Sequence, residues 1–114
     1  MIPGNALLLR IYTDENAMSG DRPYFEALVE RARLVGLAGA TVLRGLRGFG
    51  ASSIMHGAGG FHLNSNLPVV VEIVDEEAKI RPFIDGLEQG DEIGLVTLEK
   101  VEVVRYGGHR IHYV

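Results

Sequence analysis

Two stretches of this chain carry apolar residues at helical spacing, and each lies between short apolar segments of strand length. Phe25, Leu28, Val29 and Ala32 fall at i, i+3, i+4 and i+7, as do Ile80, Phe83, Ile84 and Leu87. This spacing gathers the apolar side chains on one helical face. Around the two helices lie ALLLRIY at Ala6–Tyr12, Ala40–Leu46 with Thr41, Val42 and Leu43, LPVVVEIV at Leu67–Val74, and Leu95–Val104. Runs of this length and composition read as strands. The order is therefore β-α-β-β-α-β. It predicts an α+β, ferredoxin-like fold: one antiparallel sheet with both helices on one face. The strands read as near-continuous apolar runs, so both faces of the sheet are expected to be covered. Two helices cover one face. A second copy of the chain is the natural cover for the other, which predicts a homo-oligomer with its sheets meeting face to face.

Local signals set the boundaries. Thr13–Arg22 is polar and reads as a loop, with Asp21 or Arg22 capping the first helix and Pro23 in its first turn. Gly36 is placed to stop that helix. Asp75 is expected to cap the second helix, and Pro82 inside its pattern predicts a late start or a kink. Gly48–Asn66 holds five glycines and few large apolar residues, so 48–66 reads as a long flexible loop between the second and third strands. Gly90–Gly94 reads as a turn, Leu95–Val104 as the last core strand, and 105–114 as a C-terminal tail that adds a short strand or packs on a partner subunit.

With 114 residues, 1–114 reads as a single domain. No apolar run is long enough to span a membrane, and MIPGNALLLRIY lacks the basic start of a signal peptide, so direct membrane insertion and secretion are not expected. Absence of cysteine removes disulfides and thiolate metal sites and suits a cytoplasmic location. An isoelectric point near 5.5 argues against general nucleic-acid binding.

Charge is unevenly spread. Arg31–Val71 contains no Asp or Glu, although the chain has 15 acidic residues and a net charge of −4. The same stretch holds Arg31, Arg33, Arg44 and Arg47, and its densest part is TVLRGLRGFG at Thr41–Gly50. Glycines let backbone N–H groups approach a ligand, and arginines supply forked donors for phosphate or carboxylate. The segment is either an anion site or a polar loop whose arginines pair with acids elsewhere. Arg44 and Arg47 are three apart, so on an unbroken strand they face opposite sides, and they form one clamp only where the chain turns at Gly45 or Gly48. Gly48-Phe49-Gly50 before Ala51-Ser52-Ser53 either opens a short helix with free N–H groups or serves as a hinge. The glycine spacing matches neither a Walker A nor a dinucleotide fingerprint. His56 and His62 fall in the loop and His109 and His112 in the tail, where they read as solvent-exposed. Asp14, Glu15, Asp75, Glu76 and Glu77 read as caps and solvated faces. No nucleophile–base constellation is legible, so no enzyme is expected.

LRIY at Leu9–Tyr12, RPYFEALVERARLVGLAGATVLRGLRGFG at Arg22–Gly50 and LPVVVEIVDEEAKI at Leu67–Ile80 together resemble the PII-like proteins known as domain of unknown function 190. That resemblance implies a homotrimeric signalling protein binding an adenine nucleotide (AMP, ADP, ATP or cyclic AMP) or a related small anion in clefts between subunits. It also implies a regulated partner, with a membrane transport protein suggested because family members are often encoded beside a fluoride-exporting channel. Carried onto this chain, the ligand-binding positions are Arg44, Gly45, Arg47, Gly48, Phe49, Gly50, Glu72 and Arg105. Two departures bear on the ligand. The turn before the last strand is GDEIG, with Asp91 and Glu92 and no lysine, and the third strand begins LPVVV without the PII lysine. Both favour a less highly charged ligand than a triphosphate. A second reading is a divalent-metal protein resembling the CutA proteins, which would use His56, His62, His109 and His112.

Overall fold

The structure is a computed structural model that describes residues 4–50, 56–57 and 66–110, with backbone alone at 56–57 and 109–110. Four strands form the main sheet: β1 (Gly4–Asp14), β2 (Thr41–Arg44), β3 (Pro68–Asp75) and β4 (Leu95–Val103). Their order is β2-β3-β1-β4 and every pairing is antiparallel. Helices α1 (Tyr24–Leu34) and α2 (Glu77–Asp85) supply the connections after β1 and β3. This is the expected ferredoxin-like arrangement.

Register decides which side chains meet. Leu9 lies opposite Ile73 on one side and Leu98 on the other, and Ile11 lies opposite Val71. Residues directly opposite share a face. Leu7, Leu9, Ile11, Val71 and Ile73 therefore form one inner face, packed under Leu28 and Ala32 of α1 and Ile80 and Phe83 of α2. Full burial of each large aliphatic side chain contributes roughly 1.5–3 kcal/mol.

Burial along β3 alternates strictly, with Val69, Val71, Ile73 and Asp75 buried and the intervening residues half-exposed. The apolar run at this strand thus conceals a period of two. β4 also departs from expectation. It is an edge strand with only Val103 buried, and Leu95 is 53% exposed, because α1 and α2 sit over β1 and β3.

The helix ends show which local signals held. α1 stops in a Schellman motif, with Gly36 at φ +81°. The Gly36 N–H donates to the Arg33 carbonyl and the Leu37 N–H to the Ala32 carbonyl. Its start is not capped by Asp21 or Arg22. Pro23 holds the capping position with no side-chain bond, and the Tyr24 N–H instead donates to the Ala17 carbonyl at 2.8 Å. A short hairpin, Met18–Ser19 against Arg22–Pro23 around Gly20, brings that carbonyl into place. Glu76, not Asp75, occupies the capping position of α2. The helix runs through Pro82, whose missing N–H leaves the Ala78 carbonyl on the exposed side, where water reaches it.

Candidate functional site

The segment Arg44–Gly50 leaves the end of β2 and is held by the residues that flank the third strand. The Gly45 N–H donates to the Pro68 carbonyl at 2.7 Å. A Cβ on Gly45 would lie 2.7 Å from Pro68 Cγ, so only glycine lets the two backbones meet this closely. Arg44 Nη2 pairs with Glu15 Oε2 at 2.9 Å. The same Glu15 binds the neighbouring main chain in both directions. Its N–H donates to the Leu67 carbonyl at 3.0 Å, and its Oε1 accepts from the Leu67 N–H at 3.3 Å. The ends of the 48–66 connection are therefore tied together at one end of the sheet.

The chain bends at Leu46, so Arg44 and Arg47 are not on one continuous strand. Arg47–Gly48 then pairs with His56–Gly57 in a short ladder. Leu46 and Phe49 stand 84% and 69% exposed. Residues 51–55 and 58–65 lie outside the described residues, as do His62 and His112, so the alternatives of a short helix or a hinge at Ala51–Ser53 fall there. The side chains of His56 and His109 are likewise not described. Among the described residues no three metal-ligating side chains converge.

The turn Gly90–Gly94 lies at the same end of the sheet. Thr13 Oγ1 donates to the Glu92 carbonyl and the Gly94 N–H to the Tyr12 carbonyl at 2.8 Å. Asp91 is exposed, but the Glu92 side chain folds back over Gly90, and its Oε2 is buried without a hydrogen bond among the described residues. One oxygen of one of the two carboxylates expected to repel a polyphosphate is thus turned away from solvent, on a residue that stays half-exposed.

The remaining predicted positions lie elsewhere. Glu72 is on the outer face of the sheet, opposite Arg10, and accepts a 2.9 Å hydrogen bond from Arg10 Nε. That bond raises the Arg10 pKa above its ordinary value, so the guanidinium is charged throughout the working range. Arg105 follows β4 at the far end of the sheet, where its Nε donates to the Gly107 carbonyl at 2.9 Å. Arg44 is level with Val69 and Thr13, whereas Val103 is level with Gly4. Roughly 30 Å of strand separates the two ends at ~3.3 Å per residue. Within one chain, Arg105 does not join the Arg44–Gly50 segment.

The four arginines of the acid-free stretch divide by role. Arg31 is structural. Its guanidinium donates to the Gly86 and Phe83 carbonyls at 2.8 and 3.0 Å and stacks 4.5 Å over the Phe83 ring. It thereby satisfies the carbonyl end of α2. Arg44 is paired. Arg33 and Arg47 make no ion pair among the described residues.

Two residues carry more structure than their sequence context suggested. Asp75 is fully buried. Its Oδ2 accepts from the Ala38 N–H at 2.8 Å and its Oδ1 from the Glu76 N–H at 2.7 Å, fixing the connection between α1 and β2. The alternation Val69, Val71, Ile73 carries on to position 75, and that periodicity was the available signal. Glu15 had none, because its partners Arg44 and Leu67 are remote in sequence. The tail adds the short ladder Arg105–Tyr106 with His109–Arg110, and Tyr106 Oη donates to the Ala38 carbonyl at 2.9 Å. No helix among the described residues is long and apolar enough to cross a membrane.

The family model described as "Uncharacterized ACR, COG1993", domain of unknown function 190, matches residues 6–103. A UPF0166 protein of Aquifex aeolicus is 46% identical over 97 residues, covering 85% of this chain and 91% of that protein. The UPF0166 protein MJ1524 of Methanocaldococcus jannaschii is 32% identical over 82 residues, covering 72% and 75%. Among solved structures, CPII of Thiomonas intermedia K12 bound to ADP and bicarbonate aligns with a TM-score of 0.58 at 20% identity, covering 89% of this chain and 90% of that one. A second CPII structure, bound to ADP, AMP and bicarbonate, aligns with a TM-score of 0.55 at 17% identity. At this identity the likeness establishes the PII-like fold.

Proposed function

Because the chain belongs to the family of domain of unknown function 190, we propose that it is a PII-like, homotrimeric, non-enzymatic regulator that binds a small anion between subunits. The observation that carries this reading is that the Arg44–Gly50 segment, held against the start of β3, lies at the same end of the sheet as the Gly90–Gly94 turn. Arg47 supplies an exposed cation, without an ion pair among the described residues, beside glycine backbone. The fold is shared with a protein whose structures hold ADP, AMP and bicarbonate. An adenine nucleotide with few phosphates is the ligand class that fits best, since Asp91 remains exposed at the turn.

Arg105 lies too far along the sheet to reach Arg44–Gly50 of its own chain. A site using Arg44, Arg47 and Arg105 has to be shared between copies, in keeping with an intersubunit cleft. Gly45, Gly48, Phe49 and Gly50 frame that site. Ligand binding would bias the arrangement of the segment following Gly50 and so change contact with a target, for which a cytoplasmic face of a membrane transport protein is our candidate. A ligand acts this way only through its differential affinity for the two arrangements.

The test is a thermal-shift panel of ATP, ADP, AMP, cyclic AMP, fluoride and bicarbonate. At 100 times its dissociation constant a ligand stabilises the folded state by about 2.7 kcal/mol. One nucleotide should raise the melting temperature, and the combined Arg44→Ala and Arg47→Ala substitutions should remove that shift. A shift that survives both substitutions refutes the site.

A further inference from the structure

Helices α1 and α2 share one face of the sheet, and an open groove of about 240 Å³ remains between the end of the first and the middle of the second. It is lined by Arg31, Val35, Leu37, Lys79, Pro82 and Phe83. Val35 is 58% exposed and the adjoining Leu34 79%. Two cations line the groove and no acid does, although the chain carries a net charge of −4. Neither Arg31 nor Lys79 makes an ion pair among the described residues. Arg31 is held by neutral groups alone, the Gly86 and Phe83 carbonyls and the Phe83 ring. Two of its N–H donors serve these carbonyls, and the others have no acceptor among the described residues. A fixed guanidinium beside apolar walls is thus left without a counter-charge.

We propose that this groove docks a short acidic segment of a partner protein. One apolar side chain of that segment fills the space between Val35, Leu37 and Pro82, and flanking carboxylates meet Arg31 and Lys79. Charge complementarity selects this occupant, since an apolar slot bordered by cations alone fits an apolar residue between acids. The volume is below the ~300–1,000 Å³ of small-molecule sites and suits a side chain or two. A nucleic acid would leave the apolar walls unused, and an anionic membrane is held by larger basic clusters, of ~4–8 residues. Because Arg31 is already immobilised, a carboxylate that meets it costs little side-chain freedom on this side of the contact. The groove is separate from the Arg44–Gly50 segment. α1 starts near that end of the sheet and runs back toward the other, where Asp75 holds Ala38. The inference therefore stands without the ligand reading, and adds a second contact to the one proposed through the segment after Gly50.

Selection of a random peptide library, displayed on phage, against the purified full-length protein tests this. Selected peptides should place acidic residues on either side of an aliphatic or aromatic one. Synthetic copies should bind Val35→Asp and Lys79→Glu at least tenfold more weakly than wild type, and should lose affinity as salt is raised. Both side chains are exposed, so neither change disturbs the core, and circular dichroism checks this. Lys100→Glu makes the same change in net charge at an exposed position on β4 and should bind as wild type does. Failure to select any peptide, selection of basic or uncharged peptides, or affinities that Val35→Asp and Lys79→Glu leave unchanged each overturn the proposal.

The chain contains no cysteine, so Val35→Cys reports the state of the groove before any peptide is added. It should react with a maleimide as fast as Ala78→Cys, an exposed position on α2, and a selected peptide should slow it at least tenfold. Slow labelling without peptide means that the protein's own chain or a second copy already fills the groove, which overturns the proposal. Binding to phosphatidylserine vesicles that Lys79→Glu abolishes, with no peptide selected, assigns the groove to a membrane surface and overturns it as well.

Discussion

Substitution of Gly45 tests the base of the candidate site most directly. In the native backbone an alanine Cβ at this position meets Pro68 Cγ at 2.7 Å and Pro68 Cβ at 3.5 Å. The first contact is too short by about 1 Å for two carbons, whose best separation is ~3.5–4.0 Å. Little relief is open. Pro68 Cγ can move only by re-puckering of its ring, and the Gly45 N–H is bonded to the Pro68 carbonyl at 2.7 Å. Overpacking of this kind costs about 1–3 kcal/mol. For a chain of this length that lowers the melting temperature by about 4–12 °C. The overlap is specific to Cγ, so Pro68→Ala should remove it. In that background Gly45→Ala should cost less than ~0.5 kcal/mol, and the coupling between the sites should be at least ~1 kcal/mol. It can even stabilise, because replacing glycine reduces the freedom of the unfolded chain by ~0.4–1 kcal/mol. Thermal and urea unfolding of the four proteins at one fixed concentration measures the cycle. Equal cost of Gly45→Ala in both backgrounds would refute the argument that close approach to Pro68 is what requires glycine.

Two further outcomes follow from buried polar groups. Asp75→Ala removes the acceptor of two N–H groups, at Ala38 and Glu76, and should cost about 2–4 kcal/mol in urea unfolding, with Asp75→Asn intermediate because its amide keeps one acceptor oxygen. A loss below ~0.5 kcal/mol for Asp75→Ala would show that the Ala38 connection does not depend on it. Burial raises the Tyr24 phenol above the ordinary tyrosine value, and its hydroxyl makes no hydrogen bond among the described residues. Its folded pKa exceeds its unfolded one, so its contribution is complete below ~pH 10 and disappears as pH rises through the raised value. Tyr24→Phe should leave stability near neutral pH unchanged or slightly higher and flatten its decline above ~pH 10; an unaltered alkaline profile would exclude Tyr24 as its cause.

Much of the fold was legible because it rests on local properties. The two helical faces at Phe25–Ala32 and Ile80–Leu87 are set by periodicity, and the stop at Gly36 by a positive φ that glycine tolerates. With the strand segments between them, they give the order β-α-β-β-α-β, while the sheet order β2-β3-β1-β4 is set by long-range pairing. Pro68 opens β3, where a missing N–H does little harm. The acid-free stretch marked the region of the candidate site before any geometry was known.

Only tertiary structure assigned the roles within that region. Arg31, Arg33, Arg44 and Arg47 look alike in sequence, yet one ties α2, one pairs with Glu15 and two stand without an ion pair among the described residues. The difference arises because an arginine takes whatever acceptor the fold brings within reach, and neither Gly86 nor Glu15 is a sequence neighbour. The start of α1 went to the Ala17 carbonyl rather than a side-chain cap for the same reason. Strand register alone set Glu72 beside Arg10 on the outer face and put Arg105 at the far end of the sheet from Arg44. Composition and periodicity determined what kinds of elements and charges this chain has. Long-range pairing, which no local pattern encodes, decided which of them meet.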